Sequence, residues 1–167
     1  MSNFKSTEIT IYNQKIDENS STKNVPLGTI IKAIDKDTTN YGVGEFIYLK
    51  GVASTVLGSA VVYNADDFST TLASANAVGP VAFAMVATVA NEYGWYQIGG
   101  KAVGKVGASF VDNADCYLTS TAGTIDDADV AGDYIRRCKG ASAIGTPSAG
   151  LALLEIARPE VADGKET

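Results

Sequence analysis

The sequence predicts an all-β protein: a small barrel or sandwich of short antiparallel strands with an extended N-terminal arm. Three observations carry this reading. Apolar residues recur at period two along most of the chain, the spacing of a strand with one buried face. The apolar runs are four to nine residues long and end at clusters of Gly, Asn, Asp or Pro. The most helix-like segment by alanine count, "ASANAVGPVAFAMVATVANEY", has interleaved Val and is broken at Gly79 and Pro80, both unfavourable to a helix. At 167 residues the chain is long enough for one domain with a proper core and too short for two comfortable ones. The expected division is a flexible arm over residues 1–24, a single β domain over 25–160 and a frayed, charged tail over 161–167.

The arm is rich in Ser, Thr, Asn and Lys, with one β-capable patch, "TEITIYN", in which Ile9 and Ile11 share a face opposite Thr10 and Tyr12. Such a patch inside a polar extension suits either disorder or the addition of a strand to a neighbouring subunit. Phe4, Ile9, Ile11 and Tyr12 are accordingly the arm's candidate contact residues. From Val25 onward strands are expected in "GTIIKAID", "EFIYLKGV", "SAVVYN" and "TTLAS", with turns at "KDTTNYGVG" and "ADDFS". The nearly continuous apolar run "GPVAFAMVATVA" reads as a strand buried on both faces. "DCYLTS", "YIRRCKGASA" and "LALLEIARP" complete the set, separated by turns at "TAGTIDDADVAGD" and "IGTPSAG". A helical turn is compatible with residues 66–68 or 127–131.

The segment "GWYQIGGKAVGKV", residues 94–106, superficially suggests a phosphate-binding loop. A Walker loop needs a glycine where Trp95 stands, a hydroxyl where Ala102 stands, and a following helix. At period two Tyr96, Ile98, Ala102 and Val106 fall on one face, and Gln97, Lys101 and Lys105 on the other, so a half-buried strand is expected. The Gly99-Gly100 pair inside it marks a bulge, a bend or a close backbone approach. Trp95 and Tyr96, beside that bend, are candidates for a packed anchor, in the core or at a partner interface.

Composition removes several function classes. The net charge of −6, without clustered Lys and Arg, disfavours a nucleic-acid groove or an anionic membrane surface. The N-terminal residues do not resemble a signal peptide and no apolar run is long enough to span a bilayer, so synthesis in a cytoplasm is expected. The chain has no histidine, which eliminates Ser-His-Asp and Cys-His pairs and the commonest metal ligand. Cys116 and Cys138 are too few for a disulfide framework or a cysteine-rich zinc site, and are expected as buried thiols, able to pair only if their strands are neighbours.

The remaining constellations point the same way. Asp126, Asp127, Asp129 and Asp133 surround Gly132 in an order unlike an EF-hand, and read as a solvated acidic turn. Ser148 in "TPSAG" lacks the first glycine of a nucleophile elbow and any histidine base. "YGVGE" lacks the third glycine of a dinucleotide fingerprint and reads as a tight turn. Arg136, Arg137 and Lys139 suit a small anion patch or local balance of the acidic turn. No catalytic, cofactor-binding or metal residue is expected, no small-molecule substrate, and no enzyme activity. A hydrolase built on paired carboxylates, at Asp112 and Asp115 or in the acidic turn, ranks last because no pair sits in an apolar pattern.

The segments "GEFIYLKGVAST", "GPVAFAMVATVANEYGWYQIGGKAV" and "TPSAGLALLEIARP", in this order, resemble the capsid cement or decoration proteins of tailed bacteriophages. The similarity runs over about residues 25–162, most specifically at "YGWYQIGGKAV" and "GTPSAGLALLEI", and leaves out the arm. It implies a structural virion protein on the outer surface of the phage head. Its implied partners are the major capsid protein and copies of itself, a trimer being favoured, and its implied task is stabilisation of the coat lattice. Other virion roles, at the neck, tail or fibre, and a carbohydrate-binding β-sandwich are the alternatives.

Overall fold

The computed structural model of the chain describes residues 4–6 and 14–162. Among these there is no helix. Twelve strands form the fold: β1 (Phe4–Ser6), β2 (Asn19–Ser20), β3 (Ile30–Asp35), β4 (Val43–Lys50), β5 (Ala60–Tyr63), β6 (Thr70–Leu72), β7 (Val78–Ala84), β8 (Tyr93–Lys105), β9 (Asp115–Leu118), β10 (Ile125–Asp126), β11 (Tyr134–Gly140) and β12 (Leu151–Ala162). The named strands pair antiparallel in the order β1-β3-β4-β8-β7-β12-β11-β9-β10, with β2 on β8, β5 on β7 and β6 on β5.

The long strand β8 organises this arrangement, and it is the segment that superficially suggests a phosphate loop. Its residue Gly99 pairs with Glu45 of β4 on one edge and with Ala157 of β12 on the other. At the far end Val106 bridges to Ile125, and the Gly107 N–H donates to the Ile125 carbonyl at 2.9 Å. This isolated bridge joins the two ends of the run β8-β12-β11-β9-β10 into a small barrel, while β1 and β6 remain end strands of the wider sheet. The barrel interior holds Phe110, Leu118, Ile125, Ile135 and Leu154, together with both cysteines.

Around the first half of β8 the packing exceeds the half-buried expectation. Trp95 packs on one face with Phe46, Tyr48, Ile16, Val25 and Met85; Tyr96 and Ile98 pack on the other with Ile47, Leu49 and Val61. The second face of β8 is dry because residues 14–25 cross over it. The Gln14 amide donates to the carbonyls of Glu18 and Tyr93, both at 2.9 Å, and its oxygen accepts from the Tyr48 hydroxyl at 2.6 Å and from Asn24 at 3.2 Å. The Gln14 carbonyl also accepts from the Trp95 indole at 3.3 Å. A buried amide this fully satisfied is a fixed part of the core. Residues 14–24, expected as part of the flexible arm, are therefore packed into the domain. At the other end β12 runs to Ala162, with Val161 buried against Gly79 and Ile135, so the expected tail loses its first two residues to the sheet.

Apolarity on both faces serves β7 as expected: Val81 and Phe83 enter the barrel core while Ala82 and Ala84 face the second cluster. The strand stops at Ala84, and Thr88 in the following loop makes only an isolated bridge to Thr55. Residues 64–68 form a single helical turn, with the Phe68 N–H donating to the Asn64 carbonyl at 2.9 Å. Between Gln97 and Gly99 the ladder with β4 shifts register, and Gly100, just beyond, adopts a φ of 89°. A Cβ there would lie 2.4 Å from the Val43 carbonyl oxygen, so the left-handed φ and the close backbone approach coincide at one residue.

Candidate interaction surface

The side chains that point away from the barrel fall into rows set by strand register. Asp115 pairs with Lys139, Lys139 with Glu155, and Glu155 with Lys101. Across β9, β11, β12 and β8 the charges therefore alternate in sign, the arrangement in which cross-strand neighbours attract. A second row runs Lys32, Glu45, Gly99, Ala157 from β3 to β12. Because Gly99 has no side chain, Arg158 reaches over it to Glu45, with Nη2 to Oε1 at 2.7 Å and Nε to Oε2 at 3.1 Å. This two-pronged geometry is the strong form of an arginine–carboxylate pair. This second row, with Val43, Gly44, Gly100 and Ile156, lines a shallow cleft of about 290 Å³.

A double irregularity aims these arginines. Between the pairs Arg136–Glu160 and Cys138–Ile156 the β11–β12 ladder shifts, and Arg137 and Arg158 both take left-handed φ, at 59° and 52°. Bulges redirect side chains in this way. Arg137 turns to Glu160, at 2.9 Å, and Arg158 to Glu45. Arg137 and Lys139 of β11 thus meet carboxylates of β12 and β9.

The hydrogen bonds from Arg158 hold the Glu45 carboxyl below its ordinary value of 4.5, against the opposing effect of partial burial, and the charges of Arg158 and Lys32 add to the shift. Since the folded-state value is depressed, the pair's contribution is complete above the unfolded value and disappears as pH falls through the folded one. A double-mutant cycle of Glu45→Gln and Arg158→Gln is expected to show a favourable coupling at about pH 7 that is gone at about pH 2. A coupling of equal size at both pH values would show that packing, not charge, links the two.

The acidic run is dispersed. Asp127 accepts from the Val111 N–H at 3.0 Å, and the buried Asp133 accepts from the Asn76 N–H at 2.6 Å. Asp126 lies against Gly107. Asp112 caps its neighbour Asn113 at 2.9 Å while Asp115 stands in the charge row. Among the described residues no three acidic or cysteine side chains come together as a metal site would require.

Of the candidate contact residues, Trp95 is 1 % exposed and meets Tyr48 edge-on at 5.0 Å between ring centroids. It anchors the core and is not presented to a partner. Phe4 lies in β1, whose backbone pairs Phe4 with Asp35, Lys5 with Ile34 and Ser6 with Ala33. Ile9, Ile11 and Tyr12 lie outside the described residues. The charge rows had no signal in the linear sequence, because each depends on strands far apart in the chain meeting in one register. No known family model matches the chain, and no curated protein matches it.

Proposed function

We propose that the protein is a structural component of a virus particle that binds the outer surface of a phage head and stabilises the coat lattice. The observation that carries this reading is the placement of β1: the N-terminal arm meets the rest of the protein by edge pairing, on β3. Edge pairing is also how an arm would hold a neighbouring subunit, by main-chain hydrogen bonds that need no particular side chains. The resemblance to cement proteins supports the same reading at the level of the fold, since "YGWYQIGGKAV" forms most of β8 and "LALLEI" opens β12. Both are core strands. On this reading a modest interface per copy suffices, because many copies on a lattice convert weak contacts into avidity. The alternating charge rows would fix orientation more than affinity. No catalytic role is assigned.

Quantitative mass spectrometry of purified particles tests the proposal. Copies in a simple fixed ratio to the major coat protein are expected. A handful per particle would move the chain to the neck, tail or fibre, and absence from particles would overturn the virion assignment. The variant lacking residues 1–13 is expected to fold and to occupy expanded heads less completely; undiminished occupancy would remove the arm from the mechanism.

A further inference from the structure

The pairing of β9 with β11 brings two thiols within reach of each other. Lys139 pairs with Asp115, and the Gly140 N–H donates to the Ala114 carbonyl at 2.8 Å. Continued by one residue, that register puts Cys138 opposite Cys116, ahead of the shift that leads to the Tyr134–Tyr117 pair. Both are free and buried, 3 % and 0 % exposed, in the core inside the barrel. Directly opposed antiparallel residues have Cα atoms about 4.5 or 5.5 Å apart, and disulfides bridge Cα separations of about 4.4–6.8 Å. The Cys138 thiol is hydrogen-bonded to the Cys116 sulfur, and that bond together with burial pushes its pKa up.

We propose that Cys116 and Cys138 are a reversible modification site, closing to a cross-strand disulfide that staples β9 to β11 when the folded protein meets a low-molecular-weight disulfide oxidant. The geometry carries this independently of the virion reading. One cysteine, as its thiolate, attacks a sulfur of oxidised glutathione, forming a mixed disulfide and releasing one glutathione thiolate. The second cysteine loses its proton and attacks the protein sulfur of that mixed disulfide, releasing the second glutathione thiolate. The two cysteines thus lose two electrons and two protons, and one glutathione disulfide becomes two thiols. Burial makes the first attack slow, and a route is offered by local opening of β9, a four-residue strand whose partner opposite β11 is the two-residue β10. In a reducing cytoplasm the pair stays open; outside it, the staple closes a loop that contains the whole acidic turn.

The test uses the full-length native protein, incubated with oxidised or reduced glutathione and then alkylated and digested without reductant. The expected product is a single peptide pair linked through Cys116 and Cys138. Its formation is expected to raise the thermal midpoint by about 10 °C, a gain reversed by dithiothreitol. Cys138→Ala, or Cys116→Ala if the first does not fold, is expected to show no such gain. Stable glutathione adducts on one cysteine, covalent dimers, thiols that stay free, or a linked form that melts no higher than the reduced one would each overturn the proposal.

Discussion

Deleting residues 1–24 is expected to destabilise the protein severely, and by far more than deleting residues 1–13. The longer deletion removes Ile16, a buried side chain whose exposure costs roughly 2 kcal/mol. It also removes the Gln14 amide, leaving the Tyr48 hydroxyl and the Tyr93 carbonyl without their partner. Orphaned buried groups cost about 1–3 kcal/mol each, so the loss totals on the order of 5 kcal/mol, much of the stability of a domain this size. The strand β2 goes as well, and one face of Trp95 is opened to water. Urea unfolding followed by tryptophan fluorescence measures both truncations with the chain's one tryptophan. Equal midpoints for the two would mean that residues 14–24 are not part of the cooperative unit.

Gly100→Ala should be the most damaging single glycine substitution in β8. The added methyl would sit 2.4 Å from the Val43 carbonyl oxygen and 3.2 Å from the Gly44 Cα. Both neighbours are backbone, so relief requires moving β4. The residue's φ of 89° adds strain for any L side chain. Together these effects are expected to cost roughly 3 kcal/mol or more, lowering the thermal midpoint by about 10 °C. Gly145→Ala is the control: its φ is 107° and nothing lies within 4 Å of the added carbon, so only the backbone strain of about 1–2 kcal/mol remains. Matching losses at the two positions would show that the approach of β4 to β8 is looser than its geometry indicates.

The charge rows and the thiol pair illustrate which features escape linear reading. Lys139 is local to Arg136 and Arg137 in sequence and invites comparison with the acidic turn beside it. Its cross-strand neighbours are Asp115 and Glu155, and nothing in the chain states which strands will adjoin β11. Trp95 invites an interface role for a related reason. Period-two reading places it on the more polar face of β8, alongside Gln97 and Lys101, and that face is covered at Trp95 only because residues 14–25 fold back over it. A polar, Ser- and Asn-rich segment gives little warning of such a cover, since its anchor is an amide that becomes favourable only once the Tyr48, Tyr93 and Asn24 partners are assembled.

The strands themselves were legible because alternation and turn chemistry act over a few residues. Val, Ile and aromatic side chains at period two, bounded by Gly, Asn, Asp and Pro, suffice to make β3, β4, β5, β8, β11 and β12 strands whatever they pair with. Gly99 and Gly100 announced an irregularity for the same local reason. Closure of the barrel through Val106 and Ile125, the packing of residues 14–24, the Arg158 reach over Gly99 and the proximity of Cys116 to Cys138 belong to the tertiary structure alone. Each depends on register between segments distant in the chain, and register is settled by the simultaneous burial of both faces, a condition that no single stretch of sequence contains.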